Sequence, residues 1–166
     1  MRTRFRTTVA VVLLFALVGC GNDSEVTGSD DRLLTYEEMV EEYRAKVSEY
    51  PFPLPEGVSF PERPREPDEP TLYEPGNGIV QADSYWECAW IREWLLHRTE
   101  EPGRAEAAMA WLDRSVETEF RQRFVVSDPA IWTEEILGRA KLGDPTHLRE
   151  YYDSSCASRE GLGGVG

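Results

Sequence analysis

Two acid–histidine pairs are the sequence features most obviously suited to chemistry. Glu93 and His97 lie four residues apart, and His147 and Glu150 lie three apart, so each pair can share one face of a helix. Such a pair can help to bind a metal or move a proton, but a catalytic zinc site takes three protein ligands and neither pair has a third neighbour. We therefore expect no metal and no cofactor, and we assign no catalytic residue. If the protein is an enzyme, Glu93 and His97 are its best candidates.

The first 20 residues, MRTRFRTTVAVVLLFALVGC, join a basic start to a short apolar run. The run covers residues 9–18, which is too short to cross a bilayer because a spanning helix needs about 20 apolar residues. This pattern predicts a secretory signal peptide. The run ends in LVGC, at residues 17–20, which resembles the lipobox of bacterial lipoprotein signals. The alternative is an ordinary signal peptide in which the cysteine has no special role.

The lipobox resemblance implies cleavage before Cys20 and attachment of a diacylglyceryl group to its thiol. Two or more acyl chains suffice for stable anchoring, so the expected location is the extracytoplasmic side of a membrane. Cys88 and Cys156 then remain as a pair in an oxidising compartment, where we expect them to form a disulfide. The alternatives are a reactive cysteine or a metal ligand, but neither residue lies in a CxxC motif.

Acidic side chains dominate the composition. The whole chain has a formal net charge of −13, and removing residues 1–19 would remove three of its 18 basic residues and none of its 31 acidic ones, which gives −16. Such a surface repels phosphate backbones and anionic lipid heads. We therefore expect no nucleic-acid partner, and we expect membrane contact through the lipid on Cys20 alone.

Hydrophobic periodicity predicts helices and no sheet. The first helix should cover residues 35–50, with Thr35 and Glu38 as a capping box and Pro51 as its stop. The second should cover residues 83–98. The third should cover residues 104–124, with an exposed pair between Glu117 and Arg121. Two shorter helices should begin at the Asp-Pro pairs 128–129 and 144–145.

Three tryptophans recur every four residues in the second predicted helix, at Trp86, Trp90 and Trp94. Other apolar residues occupy the remaining faces of this segment, and a helix that is apolar nearly all round tends to be buried. We therefore expect the tryptophans to pack in the core of the domain. The alternative is a stripe that stacks on sugars or bases.

Eight of the 11 prolines lie in residues 51–75. Residues 51–60 include four apolar side chains, namely Phe52, Leu54, Val58 and Phe60. These predict that residues 51–60 lie against the domain. Pro61, Pro64, Pro67 and Pro70 then recur every third residue, which matches the period of a polyproline II helix. The charged residues between them predict a stiff, solvated connector, and the alternative is a docking strip for a proline-recognising partner.

The expected fold class is mostly α: a small bundle of four to five helices with a proline-rich irregular segment and one disulfide. The domain limits follow the composition. Residues 1–19 are the signal peptide, 20–32 a flexible tether, 33–157 the helical domain with its proline-rich segment at 51–75, and 158–166 a disordered tail.

The expected function is that of an envelope lipoprotein that acts through binding or structural contacts, with an envelope protein as a possible partner. The stretch PFPLPEGVSFP followed by YWECAWIREWL resembles uncharacterised exported proteins, and this resemblance implies no activity. No serine lies in a GxSxG motif, and no glycine-rich loop follows a predicted strand. The alternative is an envelope enzyme with a helical active site around Glu93 and His97.

Overall fold

A computed structural model describes residues 32–165, and it is mostly helical, as the sequence predicts. Within these residues the only β-type pairing is an isolated bridge between Leu34 and Tyr73. No helix among them is both long and apolar enough to cross a bilayer. Five α-helices form the framework, namely α1 (Tyr36–Ser48), α2 (Asn77–His97), α3 (Pro102–Asp113), α4 (Arg139–Lys141) and α5 (Thr146–Ser155).

Helix α1 begins with the predicted capping box. The Thr35 side chain accepts a hydrogen bond from the Glu38 backbone N–H, and the Glu38 carboxylate accepts one from the Thr35 backbone N–H at 2.8 Å. Two of the four N–H groups that a helix start leaves without partners are satisfied in this way. Met39, Val40 and Tyr43 form the buried face of α1 and pack towards α2.

Helix α2 is the centre of the domain, but it begins six residues before the predicted start at residue 83. Gly76, with a φ of 90°, precedes the helix, and the Glu42 carboxylate of α1 accepts backbone N–H bonds from Gly76 and Gly78 at 3.0–3.1 Å. A Cβ at Gly78 would lie 2.5 Å from the backbone of Met39 and Tyr43. Only glycine therefore lets α1 approach the start of α2 so closely.

The predicted third helix over residues 104–124 is interrupted. Helix α3 ends at Asp113, a 3₁₀ turn covers Arg114–Glu117, and a π-helical turn covers Phe120–Phe124. Thr118 is extended between the two turns, and the Asp83 carboxylate of α2 accepts the Phe120 backbone N–H at 2.9 Å. The predicted pairing of Glu117 with Arg121 is wrong, because Glu117 pairs with Arg114.

Both Asp-Pro pairs lie at helix starts, but α5 begins one residue later than predicted, with Pro145 rather than Asp144 at the N-cap position. The Asp128 carboxylate accepts the Ala130 N–H, and the Asp144 carboxylate accepts the Thr146 N–H. After the first start, a π-helical segment at Ile131–Gly138 runs directly into α4. The predicted disulfide between Cys88 and Cys156 joins α2 to the end of α5, with the two Cα atoms 5.4 Å apart.

The proline-rich segment lies on the helices. The indole N–H groups of Trp86 and Trp90 both donate to the Pro53 carbonyl, and the apolar residues that follow Pro51 pack against the core, as predicted. Further along, the hydroxyls of Tyr43 and Tyr36 donate to the carbonyls of Pro61 and Pro64. The start of this second half therefore docks on α1 of its own chain, where the sequence predicts a stiff, solvated connector or a docking strip for a partner. Residues 68–72 are exposed, as expected for a solvated connector.

The end of the chain also differs from the prediction of a disordered tail. Leu162 and Val165 are buried in the core. The Tyr152 hydroxyl donates to the Gly163 carbonyl, and Arg149 donates to the Val165 carbonyl at 2.9 Å. Residues 158–165 thus belong to the folded domain.

Candidate functional site

Three of the four sets of residues predicted to carry chemistry lie in the described part of the chain. Cys20, the predicted lipid attachment site, lies outside the described residues. Cys88 and Cys156 are joined as a disulfide and do not titrate. The two acid–histidine pairs are each brought together, one on α2 and the other on α5.

Glu93 and His97 belong to an ion-pair network between α2 and α3. His97 Nε2 lies 3.6 Å from a Glu93 oxygen, and His97 Nδ1 lies 2.7 Å from Glu101. The other Glu93 oxygen lies 2.6 Å from an Arg104 nitrogen. Glu93 thus contacts His97 of its own helix and Arg104 of the next, so these contacts join α2 to α3.

His147 and Glu150 form an exposed pair on α5, 3.4 Å apart. Nowhere among residues 32–165 do three or more histidine, cysteine, aspartate or glutamate side chains meet in a way that could hold a metal ion.

The tryptophan stripe of α2 is part of the core. Trp86 is fully buried, and Trp90 and Trp94 are each only 7% exposed. Trp90 also stacks on Trp111 of α3, with ring centroids 5.8 Å apart. The predicted core role is confirmed, and the buried rings are not available to stack on a sugar or a base.

Two acids on α2, Asp83 and Glu87, are buried one helical turn apart. Glu87 accepts two hydrogen bonds from Arg121, at 2.7 and 2.8 Å, and a third from the Tyr151 hydroxyl at 2.8 Å. The Arg121 guanidinium also lies 3.7 Å from the ring centroid of Trp132. Burial and the adjacent Glu87 charge raise the pKa of Tyr151, which therefore stays protonated as a donor. Each oxygen of Glu87 thus has a hydrogen-bond partner, and these bonds join α2 to the Phe120–Phe124 turn and to α5.

A cavity of about 240 Å³ lies between α1, the first half of α2, the proline-rich segment and the turn that follows α5. We call it the Arg159 cavity. Its walls are largely aromatic and apolar, with charged and polar groups at a few points; the lining residues are Met39, Tyr43, Pro61, Pro64, Arg65, Tyr73, Gln81, Tyr85, Ser155, Ser158, Arg159 and Glu160. Two lining tyrosines fix one wall, since Tyr43 donates to the Pro61 carbonyl and Tyr85 to the Ser59 carbonyl.

Arg159 is the half-buried cation of this cavity. Its Nη1 donates to the Gln81 side-chain oxygen at 3.1 Å, and its Nε donates to the Ser155 carbonyl at 3.2 Å. No carboxylate of residues 32–165 lies within ion-pairing distance of its guanidinium. Burial lowers the pKa of Arg159, yet an arginine keeps its charge in proteins. The site therefore holds a positive charge whose bonds are all to neutral oxygens.

Sequence reasoning missed the Arg159 cavity entirely. Arg159 lies in the segment predicted to be disordered, and its neighbours in the cavity come from three other parts of the chain. The one signal that pointed towards it was the disulfide, which brings the end of α5 to α2.

Comparisons of the chain with protein-family models, with curated proteins and with solved structures found no match.

Proposed function

We propose that this protein is an exported bacterial lipoprotein, anchored through acylated Cys20 on the extracytoplasmic side of the cell membrane, whose helical domain acts by binding. The observation that carries the proposal is the position of LVGC, at residues 17–20, directly after a short apolar run with a basic start. That order is the one a lipoprotein signal requires.

The Cys88–Cys156 disulfide supports this location. Disulfides persist in oxidising compartments and are rare where cytosolic reductants act on thiols. The bond is buried, because Cys88 is 1% exposed and Cys156 is fully buried, so it belongs to the core of the fold.

The Arg159 cavity supports a binding role. It combines an apolar lining with a few polar and charged groups, which is the usual composition of a small-molecule site. The candidate enzymatic pair, Glu93 and His97, is engaged by Arg104 and Glu101 instead. An envelope protein is the second class of partner that this role allows.

Replacing the proposed anchor residue tests the location. We expect Cys20→Ala to leave the signal peptide uncut and to remove the acyl groups from the protein. The matched control is Ser24→Ala, which changes a nearby residue without touching the thiol. Intact mass analysis of protein from wild-type cells should give a chain that starts at Cys20 and carries acyl chains. A Cys20→Ala protein with the same mass shift, or the same partition into detergent as wild type, would contradict the proposal.

A further inference from the structure

We propose that the Arg159 cavity binds a small organic anion, in which a compact oxyanion group, a carboxylate or a phosphate monoester, is attached to an apolar body. This inference rests on the proposed binding role of the domain, and it does not depend on the lipid at Cys20.

The charge of Arg159 argues for an anion. A guanidinium has five N–H donors, and Arg159 uses two of them on the neutral oxygens of Gln81 and Ser155. A partly buried charge is costly unless it is paired, so the remaining donors favour an oxyanion that reaches the cavity. The rest of the molecule is acidic, with a formal net charge of −13. Glu160 lines the same cavity, and yet no carboxylate in residues 32–165 forms an ion pair with Arg159.

The lining of the cavity argues for an apolar body on that anion. Met39, Tyr43 and Tyr85 are buried side chains of the helical wall, and two prolines of the docked segment form the opposite side. Those three side chains are 1–4% exposed and leave little surface for a ligand, whereas the rings of Pro61, Pro64 and Tyr73 are only partly buried. These three rings offer an apolar body a contact area that inorganic phosphate alone would not use.

The volume of the cavity suits a small ligand. A volume of about 240 Å³ equals that of about eight water molecules in the liquid, at roughly 30 Å³ each. A benzoate-sized acid fits this space.

Two charged side chains at the edge of the cavity determine how an anion lies. Glu160 is exposed and repels an oxyanion on its side. Arg65 is also exposed, and within the described residues it forms an ion pair with Asp68 alone, at 3.7 Å. The favoured pose therefore points the oxyanion towards Arg159 and away from Glu160.

Calorimetric titration of the purified full-length mature protein tests the proposal. The probes are benzoate and phenyl phosphate as the two oxyanion types, with benzamide as the neutral analogue and benzylamine as the cation. We expect at least one anion to bind, and we expect the two controls to bind roughly tenfold or more weakly, because a hydrogen bond to a charged group is worth on that order. Comparing the two anions distinguishes a carboxylate site from a phosphate site.

The variant Arg159→Met should weaken binding of the preferred anion by roughly tenfold or more. The matched control is Arg123→Met, which removes an exposed arginine paired with Glu119 outside the cavity. Arg159→Lys keeps the charge but loses the coplanar N–H donors of the guanidinium. Its affinity for the anion should therefore lie between those of the wild type and Arg159→Met. Near-ultraviolet circular dichroism establishes that each variant is folded.

A measurement on the wild-type protein does not depend on any variant. Nuclear Overhauser contacts between the ring protons of the bound anion and the Met39 methyl group should place the ligand in the cavity.

Failure of both anions to bind at millimolar concentration, or equal binding of benzamide, would overturn the anion proposal. Tight binding of benzamide or benzylamine at Met39 would overturn the ligand class and leave the binding role standing. The Cys20→Ala result is independent of all of these outcomes.

Discussion

Glu87 is the residue that most clearly shows how this domain tolerates charge in its interior. It is 1% exposed, and each of its oxygens is bonded: one to Arg121 and the other to both Arg121 and Tyr151. Burying an ion pair is expensive, but breaking one costs more, because the remaining charge stays buried alone. The pair is therefore a point where a single substitution has a large effect.

We expect Glu87→Leu to destabilise the protein by about 3 kcal/mol, since it leaves the Arg121 guanidinium buried and unpaired. The double variant Glu87→Leu/Arg121→Met should be more stable than Glu87→Leu alone. Urea unfolding curves measure both. Glu117→Leu is the control, because Glu117 pairs with Arg114 at the surface and should change stability by less than about 1 kcal/mol. Equal losses for Glu87→Leu and Glu117→Leu would contradict this account.

Arg121 also shows why the sequence predicted the wrong partner for a buried charge. A spacing of four residues suggested that Arg121 pairs with Glu117, which holds only on a continuous helix. The extended conformation of Thr118 breaks that helix, and Arg121 then turns inward to α2. The disulfide was predictable because it depends on the number of cysteines rather than on local geometry.

Among the secondary-structure elements, a helix start was predictable where its capping residues lie within a few positions of it in the sequence. Thr35 and Glu38 cap α1 from within three residues, and the structure confirms that box. The cap of α2 is Glu42, which belongs to a different helix 34 residues earlier in the chain. No local pattern contains that information, so the predicted start was six residues late.

The α1 cap carries a prediction about pH. Hydrogen bonds from Arg32, and then from the Thr35 backbone and side chain, lower the pKa of Glu38 to about 2. Because the pKa of Glu38 in the folded state is lower than the ordinary glutamate value of 4.5, the ionised cap stabilises the fold above about pH 4.5. That contribution is lost progressively as the pH falls towards 2.

An NMR titration of the Glu38 side-chain carbonyl should give a midpoint near 2. Arg32→Ala should raise the midpoint, because it removes the largest of the three hydrogen-bond contributions. An unchanged midpoint in Arg32→Ala would show that the cap does not control this ionisation.

At the scale of the whole molecule, the end of the chain matters more than its composition suggests. Residues 158–165 are rich in glycine and polar residues, a composition typical of disorder. Nevertheless, Leu162 fills part of the core, since the disulfide and α5 deliver this segment to α2. The Arg159 cavity could not be predicted for the same reason: its residues come from four segments that only the complete fold brings together.

Two leucines near the end of the chain test this point. Leu162 is 2% exposed and Leu142 is 89% exposed. We expect Leu162→Ala to cost about 3 kcal/mol of unfolding free energy, as for other buried leucines. Leu142→Ala should cost less than about 0.5 kcal/mol. Urea unfolding of the oxidised protein measures both, and a negligible effect of Leu162→Ala would mean that the tail does not pack.

The covalent bond between Cys88 and Cys156 also decides what a protease could achieve on this molecule. Val126 is fully exposed and lies between the two cysteines in the sequence. Hydrolysis of the backbone there would give two polypeptides that stay linked through sulfur, with α2 and α5 still side by side. A nicked molecule would thus keep both halves, and only a reductant would allow them to separate.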